Sequence, residues 1–180
     1  MELHLDTMEA RARRAYEWAR VRRALLGALP LVVIVGVALL VGSRPVMTAS
    51  LGAALFVGAA GLLWFGHGLP RAVLMGVATG LLPMGLVLCG ARVGHACSGP
   101  VCMQLCFASS TLGGAAAGLL IGDWAFSRRV SAGLLLTATV FGLTTGALAS
   151  TCVGFAGVAA LAAGLAGGVG LQWARRAVRS

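Results

Sequence analysis

The chain predicts an all-α fold, a polytopic membrane protein built as a six-helix transmembrane bundle with a short amphipathic cytoplasmic helix at its N-terminus. Three observations predict it: six apolar stretches follow one another, little polar chain separates them, and the arginines are strongly biased to alternate connections. A hydrocarbon core of roughly 30 Å needs about 20 apolar residues per crossing helix. Stretches of that order occur at 24–42, 47–65, 71–90, 103–121, 131–149 and 153–172. Of 180 residues, 59% are hydrophobic and 11% charged, and the mean hydropathy is +0.94, which excludes an ordinary soluble enzyme. The expected organisation is a cytoplasmic amphipathic segment at 1–23, a membrane domain at 24–173 and a cytoplasmic tail at 174–180.

The first stretch has two readings. A cleaved signal peptide would need a small-residue cleavage site, and none stands out around Gly42. The polar leader also carries Glu2, Asp6, Glu9 and Glu17, so a retained span is expected. Pro30 falls early in that span, where a missing backbone N–H costs less, whereas Pro83 is expected to kink the third. Gly114 and Gly118, Gly142 and Gly146, and Gly164 and Gly168 each place small residues one turn apart, a spacing that lets helix backbones approach closely in lipid. The proposed spans contain no Asp, Glu, Lys, Arg or His, although ion and proton pathways need such groups. A compact bundle with no catalytic residues, no cofactor and no small-molecule substrate follows. His67, between Gly66 and Gly68, reads as a solvated turn residue.

The net charge of +9 comes from arginine alone, and its distribution is a topology signal. Arg11, Arg13, Arg14, Arg20, Arg22 and Arg23 precede the first span, Arg71 lies in the second connection, Arg128 and Arg129 in the fourth, and Arg175, Arg176 and Arg179 in the tail. Only Arg44 and Arg92 fall in the odd-numbered connections. The positive-inside rule then places both termini in the cytoplasm. Direct nucleic-acid binding is not expected, because the charge is spread along a topological alternation instead of one soluble face.

On the same topology Cys89, Cys97, Cys102, Cys106 and Cys152 all fall at the opposite, non-cytoplasmic surface. In a bacterial inner membrane that surface is the periplasm, where disulfides persist. A structural disulfide, such as one from Cys102 to Cys152, would tie the fourth span to the turn between the fifth and sixth. The same pair used reversibly would be a redox sensor. Soft-metal binding is the third reading, because His95, Cys97, Cys102 and Cys106 offer one imidazole and three thiolates, in a spacing that matches none of the common zinc patterns. Simple packing of small apolar thiols at helix ends is the fourth.

Residues 1–23 are the largest polar segment. Asp6 followed by Glu9 has the form of a helix start, and Met8, Ala12, Ala15, Tyr16 and Ala19 then recur at helical spacing beside a charged face. Such a helix can lie on the membrane, with Tyr16 and Trp18 among the headgroups. Alternatively it can present its apolar stripe to a cytoplasmic partner.

From Cys102 onwards the chain has a cysteine at the start of the fourth span, small residues, a loop with Arg128 and Arg129, the run Gly142-Leu-Thr-Thr-Gly146-Ala-Leu-Ala-Ser-Thr-Cys152, and a glycine-rich last span. This order resembles the six-span inner-membrane anti-sigma factors, a family that includes the carotenogenesis regulator CarR and the metal- and oxidative-stress regulator NrsF. About the last 75 residues carry the resemblance by motif, and the remainder by topology. The resemblance implies a repressor that sequesters an extracytoplasmic-function sigma factor until light or singlet oxygen, redox change or heavy metal relieves it. It also implies that residues 1–23 bind the sigma factor and that Cys102 and Cys152 correspond to the paired sensor cysteines. This chain departs from the pattern after the second cysteine, where Val153-Gly154-Phe155 stands in place of His and Trp. A second functional class, a small thiol-dependent heavy-metal transport or metal-binding membrane protein, would use His95, Cys97, Cys102 and Cys106 as ligands.

Overall fold

The computed structural model describes residues 2–41, 45–65, 69–93, 100–150 and 154–178. They form α1 (Glu2–Val41), α2 (Pro45–Phe65), α3 (Leu69–Val93), α4 (Pro100–Ser127), α5 (Ala132–Ser150) and α6 (Phe155–Ala177). Prolines open α2 and α4, where the missing N–H is one the first turn leaves unpaired in any case. Five of the helices are long and apolar enough to cross a membrane. The apolar stretch of α5, Ala132–Leu148, is shorter, and α5 is the central helix, packing against each of the other five.

The N-terminal segment differs from the expectation of a short separate helix. α1 begins at Glu2, ahead of Asp6, and runs without a break into the first span. The reason is local: Glu9 to Ala24 is rich in Ala, Arg and Glu, strong helix formers, and contains neither Gly nor Pro. The change from charged to apolar side chains alters the solvent the helix suits, not its backbone. Pro30 consequently lies deep inside a 40-residue helix and not near its start, and Pro83 lies within α3, which is likewise unbroken. Proline is tolerated there because neighbouring helices and local adjustment satisfy the freed carbonyl.

Packing is set by close backbone approach. A Cβ at Gly114 or Gly118 would overlap the carbonyl oxygens of Leu161 and Leu165, and one at Gly164 or Gly168 would overlap those of Thr111 and Ala115. The contacts ascend together along both helices, so α4 and α6 run parallel. α3 and α5 are joined in the same way, because a Cβ at Gly76 would overlap Ala138 O and one at Gly80 would stand 2.7 Å from Gly142 O. α3 meets α4 antiparallel where Gly113 abuts Pro83, at 2.6 Å from its Cα to the position a Cβ would take. α1 meets α2 antiparallel through Gly52 against Val35 and Gly27 against Leu63.

One buried cluster joins four helices: Leu31, Ala38, Leu55 and Ala59 of α1 and α2 meet Val73, Val77 and Met84 of α3 and Phe141 and Leu148 of α5. On α1 the buried positions Ala24, Ala28, Leu31 and Ala38 follow helical spacing, while Leu25, Leu26, Leu29, Val32 and Val33 face outward. An apolar exterior of that extent is compatible with contact with lipid.

Neighbouring glycines of α6 give a test. Gly168 is pressed against α4, whereas a Cβ at Gly167 would meet nothing within 4 Å. Gly168→Ala should therefore lower stability by about 1–3 kcal/mol through overpacking. Gly167→Ala should raise it by about 0.5–1 kcal/mol through lower backbone entropy in the unfolded chain. Unfolding of both purified variants in detergent checks the contrast, and equal effects would contradict the interface.

Candidate functional site

The helix directions gather the arginine-bearing segments at one end of the bundle. With α1 and α2 antiparallel, α3 and α4 antiparallel, and the α3–α5 and α4–α6 pairs parallel, the end of α2 meets the starts of α3 and α5 and the ends of α4 and α6. Arg20 of α1 marks this level, with its guanidinium carbon 6.0 Å from the centroid of the Trp64 ring. Arg176 donates a hydrogen bond to the carbonyl oxygen of Phe126 at 3.0 Å and lies over its ring at 5.1 Å. Arg71, Arg128 and Trp124 line a concavity of about 470 Å³ with Val130 and Leu134.

Beyond Arg20 the helix continues, and Arg11 to Ala19 are exposed on every side. Of the sequence-predicted stripe, Ala12, Ala15, Tyr16 and Ala19 are exposed, with Tyr16 at 69% and Trp18, two residues on, at 71%. Met8 continues the same helix in backbone position. Arg13 and Glu17, one turn apart, form an exposed pair at 3.7 Å, the ion pair found among the described residues. Such a pair contributes about 0.3–0.5 kcal/mol to the helix. At about 1.5 Å per residue, the segment from Glu2 to Arg20 is about 27 Å long.

The turn between α4 and α5 is tightly built. Val130 N–H donates to Ala125 O at 3.0 Å and Arg129 N–H to Phe126 O at 3.4 Å, the paired bonds that close a helix when the residue after its cap is left-handed. That residue is Arg129, at φ 49°, where glycine is the usual choice. Ser131 O then accepts from Leu134 and Leu135 and starts α5. Arg128 and Val130, on either side of Arg129, are thereby held in the concavity.

The described cysteines belong to the other end. Cys89 lies near the end of α3 in backbone position, and Cys102 and Cys106 lie in the first turns of α4. Cys106 is buried and its thiol is free. His95, Cys97 and Cys152 lie outside the described residues, so the proposed Cys102–Cys152 pair and the four-ligand set each extend beyond them. Among the described residues no three His, Cys, Asp or Glu side chains come together as a metal site.

Two features of the bundle are not anticipated from the sequence. Trp64, Trp124 and Trp173 all sit at that end, each within seven residues of an arginine, as an interfacial aromatic belt would place them. Gly76 and Gly80 carry the same one-turn spacing as the glycine pairs of the later spans and hold α3 against α5.

The fold thus defines a class: an all-helical bundle whose helices have the length and composition of a multi-pass membrane protein. Compared with protein-family models, curated proteins and solved structures, the chain shows no match.

Left-handed backbone at a non-glycine residue costs roughly 1–2 kcal/mol. Arg129→Gly should accordingly stabilise the protein by about 1 kcal/mol, read as a higher unfolding midpoint in detergent. A lower midpoint would mean that the Arg129 side chain makes a contact worth more than the strain.

Proposed function

We propose that this protein is a membrane-bound anti-sigma factor whose N-terminal helix holds an extracytoplasmic-function sigma factor at the cytoplasmic face of a bacterial inner membrane. The observation that carries the reading is the continuity of α1: the exposed stretch from Arg11 to Ala19 and the span from Ala24 onward are one helix. A helix lying flat on the membrane needs a break where it turns into its span, and α1 has none between Arg20 and Leu26. A projecting, unpartnered helix anchored in a bundle suits capture of a soluble protein. Its apolar stripe supplies the binding and its arginines the orientation. The resemblance of the last 75 residues to the six-span anti-sigma factors supplies the partner's class. Gathering of the arginines at one end supports a cytoplasmic position for that end by the positive-inside rule.

Signal detection is assigned to the opposite end. Cys102 and Cys152 are the proposed sensor pair, and a change in their bonding would act on α4 and on the turn between α5 and α6. The close seam of α4 and α6 at Gly114, Gly118, Gly164 and Gly168 lies between the cysteine end and the arginine end and supports this reading.

Two experiments test this. Alkaline phosphatase, active only outside the cytoplasm, should be inactive when fused at Ser180 and active when fused at Ser98; activity at Ser180 would overturn the topology. Co-purification of the cognate sigma factor, paired with expression from its target promoter, tests the partner. Deleting residues 2–19 should release the sigma factor, and Tyr16→Asp or Met8→Asp should do nearly the same, since a buried large side chain contributes about 1.5–3 kcal/mol. Arg11→Ala should weaken capture modestly and chiefly at low salt, as exposed ion pairs contribute about 0–1 kcal/mol. Retained capture and a silent promoter in the deletion variant would refute the docking role.

A further inference from the structure

We propose that the concavity between the start of α3, the end of α4 and the start of α5 is a binding site for the phosphate-bearing headgroup of an anionic phospholipid. The inference is independent of the sigma factor and rests on the membrane reading of the bundle.

Two arginines from different elements, Arg71 of α3 and Arg128 of the α4–α5 turn, line the same 470 Å³ space. Among the described residues, Arg13 and Glu17 are the pair within ion-pair distance, so neither arginine of the concavity has a carboxylate partner there. A guanidinium presents a planar fork of donors that matches phosphate oxygens two at a time, which an ammonium does not. Both cations of this site are arginine in a chain that has no lysine.

The rest of the lining separates a lipid from a free anion. Trp124, Val130 and Leu134 make the remainder of the wall apolar. One turn further into the bundle, Leu74 follows Arg71 on the same face of α3 and Leu120 precedes Trp124 on the same face of α4, and both are exposed. The order along the wall is therefore guanidinium, indole, aliphatic side chain, which is the order of phosphate, interface and acyl chain in a lipid. A soluble phosphate would use the first layer only. Basic pockets between membrane helices at the cytoplasmic side take anionic headgroups by this combination. The Arg129 turn holds Arg128 and Val130 in place, so the site exists before the lipid arrives.

The test uses the full-length protein in nanodiscs of phosphatidylcholine doped with phosphatidylglycerol, with bound lipid counted by native mass spectrometry after release. Phosphatidylglycerol should be retained in preference to phosphatidylcholine. Arg71→Gln with Arg128→Gln should weaken that retention about 30-fold, taking each arginine near the surface at its ordinary contribution. The double Lys variant should show an intermediate loss, and Arg175→Gln, which alters an exposed arginine outside the concavity, should show none. Helical circular dichroism of each variant establishes that the bundle is intact. Unchanged preference in the double Gln variant, or equal retention of both lipids by the wild type, would overturn the site. Displacement of phosphatidylglycerol by inorganic phosphate at equal concentration would overturn the lipid in favour of a free anion. Recovery of the wild-type protein in solution without detergent would overturn the membrane reading itself, a result distinguishable from loss of lipid preference in a detergent-dependent bundle.

Discussion

Everything in this bundle depends on backbones approaching one another at glycine. Between helices surrounded by lipid, apolar side chains gain little by association, because the tails are as apolar as the side chains they replace. Attraction has to come from dispersion at close range, and that requires positions without a Cβ. Gly114 and Gly118 face Gly164 and Gly168 across α4 and α6, while Gly76 and Gly80 seat α3 on α5. These two seams fix direction as well as distance. Parallel pairing of α3 with α5 and of α4 with α6 is what carries Arg71, Arg128, Arg129, Arg175 and Arg176 to a common end.

The chemistry of the two ends follows from that arrangement. One end has the arginine cluster, tryptophan and a helix that continues past the bundle; the other has Cys89 and Cys102 in backbone position and the buried Cys106. α1 and α2 form the more peripheral layer, joined to α3 and α5 by Leu55, Ala59, Val73, Val77 and Phe141. The projecting segment is therefore borne by a helix that the remaining bundle holds through α2 and the central α5.

Much of this is legible in the sequence, and the exceptions have physical reasons. The helices are readable because composition alone decides whether a segment suits lipid, and the glycine pairs of α4 and α6 because one-turn spacing has a direct packing meaning. Gly76 and Gly80 carry the same one-turn spacing, in the span where Pro83 reads as a kink. Continuity of α1 is not legible from hydropathy, since Arg, Ala and Leu share helix propensity while differing in solvent preference. That is why a boundary near Ala24 marks a change of surroundings and not of structure. The left-handed Arg129 carries no local signal at all, because the usual glycine or asparagine is missing from the α4–α5 turn. For the cysteines, the sequence places the group at one end, whereas the Cys102–Cys152 pairing depends on geometry at Cys152, which lies outside the described residues.

Cross-linking between α4 and α6 tests the glycine seam most directly. A Cβ at Gly122 would lie 3.0 Å from the Cβ of Gln172, close to the separation of about 3.5–4.5 Å that a disulfide spans. In a background with the five native cysteines replaced by serine, Gly122→Cys with Gln172→Cys should oxidise rapidly to an intramolecular disulfide in membranes. Gly122→Cys with Gly167→Cys, whose second position faces away from α4, should remain reduced under the same conditions. Failure of the first pair, or equal oxidation of both, would contradict the parallel register on which the arrangement of the two ends rests.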